Sequence, residues 1–265
     1  MEGPNKLSLP EQLSRTFWVL HRLAAVNIIC FLVFLPVFSW FYLVLNLHLH
    51  AGASVGMGSI LPGLGYFAGL LLRLPPVIFY TLFAASAVLF GPFLLGLHYV
   101  TSAIFAGRHV WFSDLFTQAR QNARQGILLG FFCILGTHLL LWNIFAGLTS
   151  PISWLALGLA ASRWVSIGLL ALLLLTLPYF CQIAVAIDLP FWAVLKNARI
   201  LARVYLGRSL LLLFGVTVLL WIALSLFPAF GLLGLPLLLI GLVALAQAAV
   251  CFPAVERHVI EPARR

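Results

Sequence analysis

The sequence predicts an all-α integral membrane protein: a six-transmembrane-helix bundle with two cytoplasmic amphipathic helices and a parallel internal repeat. Three observations predict it. Of 265 residues, 63% are hydrophobic and only 8% charged, with a mean hydropathy of +1.13. Soluble domains carry roughly 25% charged residues, so a water-soluble fold of this composition lacks the polar side chains to cover its surface. The apolar runs are long, unbroken and non-alternating, which disfavours a barrel and leaves helices to satisfy the backbone in hydrocarbon. The basic residues sit at the ends of those runs, so the formal charge of +9 reads as topology and contact with anionic lipid headgroups, with no nucleic acid involved.

From the N-terminus, residues 1–22 are polar and read as a cytoplasmic N-terminal segment. The apolar run after Arg22 is too long for a signal peptide, so no cleavage is expected. Six runs reach the roughly 20 residues a span requires: 23–45, 77–104, 126–148, 164–187, 209–228 and 231–254. Residues 46–76 read as an external loop. Its segment 51–72 is uncharged, but six glycines and Pro62 make it a poor spanning helix. With six spans and both termini inside, 13 of the 15 basic residues are cytoplasmic and only Arg73 and Arg163 are outside. A seventh span would spoil that split. Residues 255–265 read as a cytoplasmic tail.

Between spans lie two amphipathic helices. Phe112, Leu115, Phe116, Ala119 and Ala123 share one helical face, as do Phe191, Val194, Leu195, Ala198 and Ala202. Ser113 and Asp188 are the expected N-caps, with Pro190 in a first turn. Arg120 and Arg124 flank the first face; Lys196, Arg199 and Arg203 flank the second. Residues 112–142 align with 191–221 without a gap, pairing ARQNAR with ARILAR. An even number of intervening spans puts both helices on one side, a parallel duplication. A helix with apolar and basic faces belongs in the interface, its cations among phosphates or docked on a partner.

Several short motifs resemble the YesL-like family of bacterial integral membrane proteins. They are Gly91–Pro92 in the second span, the spacing from Phe112 to Asn122, PYFCQIAVAID at 178–188, and KNA at 196–198. The resemblance runs from about Leu13 to Val255 and implies a bacterial cytoplasmic-membrane protein without an established activity. It also implies an accessory or regulatory role beside a carbohydrate transport system, with membrane transport proteins as partners. It supplies no catalytic residues.

The residues themselves point the same way. No carboxylate lies within a span, and no P-loop, nucleophile elbow or zinc-protease motif is present; no enzyme, cofactor or metal is expected. Cys30, Cys133, Cys181 and Cys251 fall in four different runs, as buried thiols do. The candidate polar site is Asn27, His98, Gln182 and Gln247, which lie at similar distances from the cytoplasmic ends of their spans. Such residues form either a cytoplasm-facing cavity for a small solute or lipid, or plain interhelical hydrogen bonds. His138, near mid-span, reads as a neutral histidine. Gly91 and Pro92 mark a kink, whether for packing or for gating. Trp18, Trp40, Tyr42, Trp111, Trp142 and Trp164 read as interfacial belts.

Overall fold

A computed structural model describes residues 21–40, 73–146, 153–225 and 240–263, and these are helical apart from short connections. The helices are α1 (His21–Trp40), α2 (Pro76–Phe105), α3 (Phe112–Gln121), α4 (Ala123–Ala146), α5 (Ser153–Ala186), α6 (Phe191–Val204), α7 (Leu206–Ser225) and α8 (Ile240–Val255). α8 runs on through a π-helical turn, Glu256–Ile260, and a last turn, Glu261–Ala263. Five of these helices are long and apolar enough to cross a membrane, and α6 with α7, bent by 91° at Tyr205, make a sixth if counted as one span. The chain is a multi-pass, all-α membrane protein. The segment 46–72, most of residues 1–22, and residues 226–239, which include the expected start of the sixth span at 231, lie outside the described residues.

Central in the bundle are α2, which packs against α3, α4, α5 and α8, and α5, which packs against α4, α6, α7 and α8. One buried cluster joins α1 to α2 and α3 through Val26, Phe34, Leu97, Val100 and Leu115; the other gathers Leu95, Phe180, Ile183, Val194, Ala198 and Cys251. All four cysteines are free and buried. The tightest crossing is α2 on α4. A Cβ on Gly91 would lie 1.7 Å from the Gly126 carbonyl oxygen, and one on Gly126 would lie 2.5 Å from the Pro92 nitrogen. Gly130, one turn beyond Gly126, also faces Gly91. This is small-xxx-small packing, in which missing side chains let backbones touch. Gly91–Pro92 is therefore a packing surface, and no break in the hydrophobic pattern marks its partner, Gly126–Gly130. Gly96 does the same for α3, whose Leu115 carbonyl oxygen would be 2.6 Å from a Cβ there.

Boundaries differ from expectation in two places. α5 begins at Ser153, 11 residues before 164: no proline interrupts the chain between Pro151 and Pro178, residues 154–161 are apolar, and the single charge of Arg163 does not end a helix. The caps are also not Ser113 and Asp188. Ser113 lies inside α3, whose N-cap is Trp111, and Asp114 accepts the Trp111 N–H at 2.7 Å. Pro190 is the N-cap of α6, with no side-chain cap bond. The carboxylate two residues past the first helical position reaches back better than the serine beside it, as in half a capping box.

Candidate functional site at the basic end of the bundle

Three contacts gather one end of the bundle. Arg22, at the start of α1, donates to the Val110 carbonyl at 2.5 Å, lies 3.1 Å from His109 Nδ1 and stacks 5.0 Å over the Trp111 ring. Gln125, at the start of α4, donates to the Leu189 carbonyl between α5 and α6 at 2.5 Å. The Tyr205 hydroxyl between α6 and α7 meets His258 Nε2 beyond α8 at 2.8 Å. Among the described residues, this end holds Arg22, Arg108, Arg120, Arg124, Lys196, Arg199, Arg203, Arg208 and Arg257, whereas Arg73 and Arg163 lie toward the other.

Inside this end lies a buried polar chain. Gln182 of α5 and His98 and Ser102 of α2 are at most 3% exposed. The Gln182 amide nitrogen is 3.2 Å from His98 Nδ1, and Ser102 Oγ is 2.5 Å from Gln182 Oε1 and 2.6 Å from the His98 carbonyl. One hydroxyl proton cannot fully serve two acceptors. Exchanging the amide oxygen and nitrogen satisfies every partner: His98 Nδ1–H donates to the amide oxygen, the amide donates to Ser102, and Ser102 donates to the carbonyl.

This chain forms the floor of a pocket of about 340 Å³ between α2, α5 and the end of α8. Ser102 and Gln182 line it from within. Tyr99, Phe252 and Ile260 make its apolar walls, and Arg108 and Glu256 bring opposite charges to the rim. Two local devices set those charges. α2 ends in a Schellman motif, with Gly107 at φ 71°, its N–H bonded to the Ile104 carbonyl and that of Arg108 to the Ala103 carbonyl. This turn swings Arg108 back over the pocket. On the other side, the π-helical turn puts Glu256 and Ile260 on the pocket wall while His258 reaches Tyr205. Sequence reasoning missed Arg108 and Glu256; the only signal was Gly107, a glycine just past an apolar run.

The other sequence candidates lie elsewhere. Asn27 is fully buried and its side-chain oxygen accepts the Gly241 N–H, tying α1 to α8. Gln247 lines a separate cleft with Leu174, Pro178, Tyr179 and Ser209. Thus His98 and Gln182 meet, Asn27 meets Gly241, and Gln247 faces a different groove. His138 sits by the rings of Trp40 and Trp142, its Nδ1 buried with no partner among the described residues. At the far end, Asn143 bonds Ser162 and Ser166 across α4 and α5. Arg120, Arg124, Lys196, Arg199 and Arg203 are exposed, and none forms an ion pair or side-chain hydrogen bond among the described residues. Arg120 and Arg124 straddle the break at Asn122, whereas Arg199 and Arg203 both lie within α6. No protein-family model, curated protein or solved structure matches the chain.

Proposed function

We propose that this protein binds a small polar solute at the basic end of its bundle and acts as a transporter or channel-like protein for it. The observation that carries this reading is the pocket with a buried hydrogen-bonded floor of Ser102 and Gln182 and charged groups at its rim. Ligand sites combine apolar walls with a few fixed polar groups in volumes of about 300–1,000 Å³. A pocket near the lower bound suits a molecule of amino-acid or sugar size. The test is thermal stabilisation of the purified chain in nanodiscs across a panel of small sugars and amino acids. At least one solute should raise the melting temperature, and Ala106→Trp, which fills the pocket from its edge, should remove the effect. Stabilisation that survives Ala106→Trp places binding elsewhere.

A second reading has its own support: the five exposed, unpaired cations on α3, α4 and α6. They suit docking on a membrane partner, and the resemblance to the YesL-like family suggests a carbohydrate transport system. The 9-to-2 division of basic residues between the two ends favours a cytoplasmic basic end, and so cytoplasmic termini, in a bacterial cell membrane. The shared order of span, short helix and span in α2–α4 and α5–α7 favours a duplication. Docking through bidentate guanidinium contacts predicts that Arg199→Lys with Arg203→Lys weakens co-purification of a partner while insertion stays intact. Contact with lipid phosphates alone predicts no change. Labelling of Arg124→Cys and Arg73→Cys from the same side of the membrane would defeat the orientation.

A further inference from the structure

We infer that the pocket takes a zwitterion: a molecule with an ammonium group at one end and a carboxylate or phosphate at the other. The inference rests on the solute-binding reading and names its ligand class. Arg108 and Glu256 line the same pocket of about 340 Å³. Neither forms an ion pair or a side-chain hydrogen bond among the described residues. Opposite charges that share a rim without pairing offer two complementary contacts to one molecule.

The chemistry of each end is specific. A guanidinium presents paired N–H donors in the geometry of a carboxylate or phosphate. The Glu256 carboxylate accepts from an ammonium group, and Tyr99 and Phe252, which line the same pocket, are residue types that favour a cation as well. An anion alone would leave Glu256 beside it unanswered; a cation alone would leave Arg108. A neutral polyol would use only Ser102 and Gln182. A zwitterion answers both charges and still reaches the polar floor. Each charge is held by a separate element, Arg108 by the Gly107 turn and Glu256 by the π-helical turn. The fold therefore fixes where each side chain is rooted, and no ion pair between them has to be broken on binding.

The same chemistry occurs in free solutes and in the phosphatidylethanolamine headgroup, and the experiment separates the two. The chain is reconstituted in nanodiscs of phosphatidylglycerol. Binding is measured calorimetrically for phosphoethanolamine and glycine, against inorganic phosphate, ethanolamine and glycerol. At least one zwitterion should bind at least tenfold more tightly than any of the three controls. Arg108→Gln and Glu256→Gln should each weaken it about tenfold or more, and the exchange Arg108→Glu with Glu256→Arg should recover much of the loss. Both rim residues are exposed, so these variants should fold as the parent does. If phosphatidylethanolamine in the nanodisc competes with phosphoethanolamine, the headgroup is a source of the ligand; if it does not, the ligand is a free solute. Should a control bind as well as the zwitterions and lose binding in Ala106→Trp, the pocket reading stands and the zwitterion class is overturned. Should none of the five probes bind, the zwitterion class is overturned as well, while the wider sugar and amino-acid panel still decides the pocket reading.

Discussion

Two long helices are each preceded by a short amphipathic helix and a break, at Asn122 between α3 and α4 and at Tyr205 between α6 and α7. The breaks use one hydrogen-bond scheme. The Asn122 N–H bonds the Gln118 carbonyl and its own carbonyl takes the Gly126 N–H; Tyr205 does the same with Leu201 and Ser209. Each chain thus passes its break with the i to i−4 bonds of the break residue intact. The anchoring one turn later is unlike in the two places. Past Asn122 comes Gly126, pressed against Pro92; past Tyr205 comes Ser209, whose hydroxyl lies 3.0 Å from that of Tyr179. One junction is held by backbone contact and the other by a hydrogen bond between side chains. The short helices also differ in length, 10 residues against 14. Phe112 and Phe191 open them in register, but the second break falls about one turn later, which is why ARQNAR spans its break and ARILAR does not.

That contrast predicts unequal sensitivity. Gly91→Ala places a methyl carbon 1.7 Å from the Gly126 carbonyl oxygen, far inside van der Waals contact, and rigid backbone cannot yield as a side chain can. We expect a loss of about 3 kcal/mol or more, toward or beyond the upper end of overpacking costs, read as early unfolding in a detergent titration. Ser209→Ala removes the bond to Tyr179 and the hydroxyl's bond to the Tyr205 carbonyl, and should cost about 0.6–1 kcal/mol for each. Equal effects would mean that the glycine crossing is slack and the two junctions are alike. A smaller difference is expected where the chain enters the short helices. Gly107→Ala forces a side chain into a left-handed turn and should cost about 1 kcal/mol. Asp188→Ala in the corresponding connection removes an exposed side chain that makes no cap bond, and its melting curve should overlay that of the parent. A shift with Asp188→Ala comparable to that with Gly107→Ala would show that the second entry is also pinned.

Sequence periodicity carried the helices because hydrocarbon demands long apolar runs, and it carried much of the faces of α3 and α6, where Leu115, Ala119, Val194 and Ala198 are buried as their spacing requires, while Phe112 and Phe116 of the α3 face are exposed. It also placed His98 and Gln182 at a common depth. It could not place Gln247 or Asn27, because counting residues from a helix end gives depth only for parallel helices and says nothing about direction around the axis. Asn27 meets Gly241, six residues farther from the basic end of α8 than Gln247. Gly91–Pro92 was visible as a break in pattern, yet half of the crossing, Gly126–Gly130, lay unread four residues apart. Arg108 was legible only as a topology marker, and Glu256 only as a carboxylate outside the spans. They owe their place in the pocket to a positive-φ glycine and a π-helical turn, neither of which leaves a hydrophobic period.

The right angle between α6 and α7 has a consequence for the bilayer itself. With α7 crossing the membrane, α6 lies along its surface, a rod of about 21 Å by about 10 Å from its 14 residues and the usual helix dimensions. Of that footprint, roughly 200 Å², the part that does not lie on the bundle is taken from one leaflet and not from the other. Headgroups on the basic side must spread to admit it, so the work of insertion depends on how tightly that leaflet is packed. Insertion should then be easier where the basic-side leaflet is loosely packed or outwardly curved, as reconstitution into small and large vesicles of one lipid composition would show.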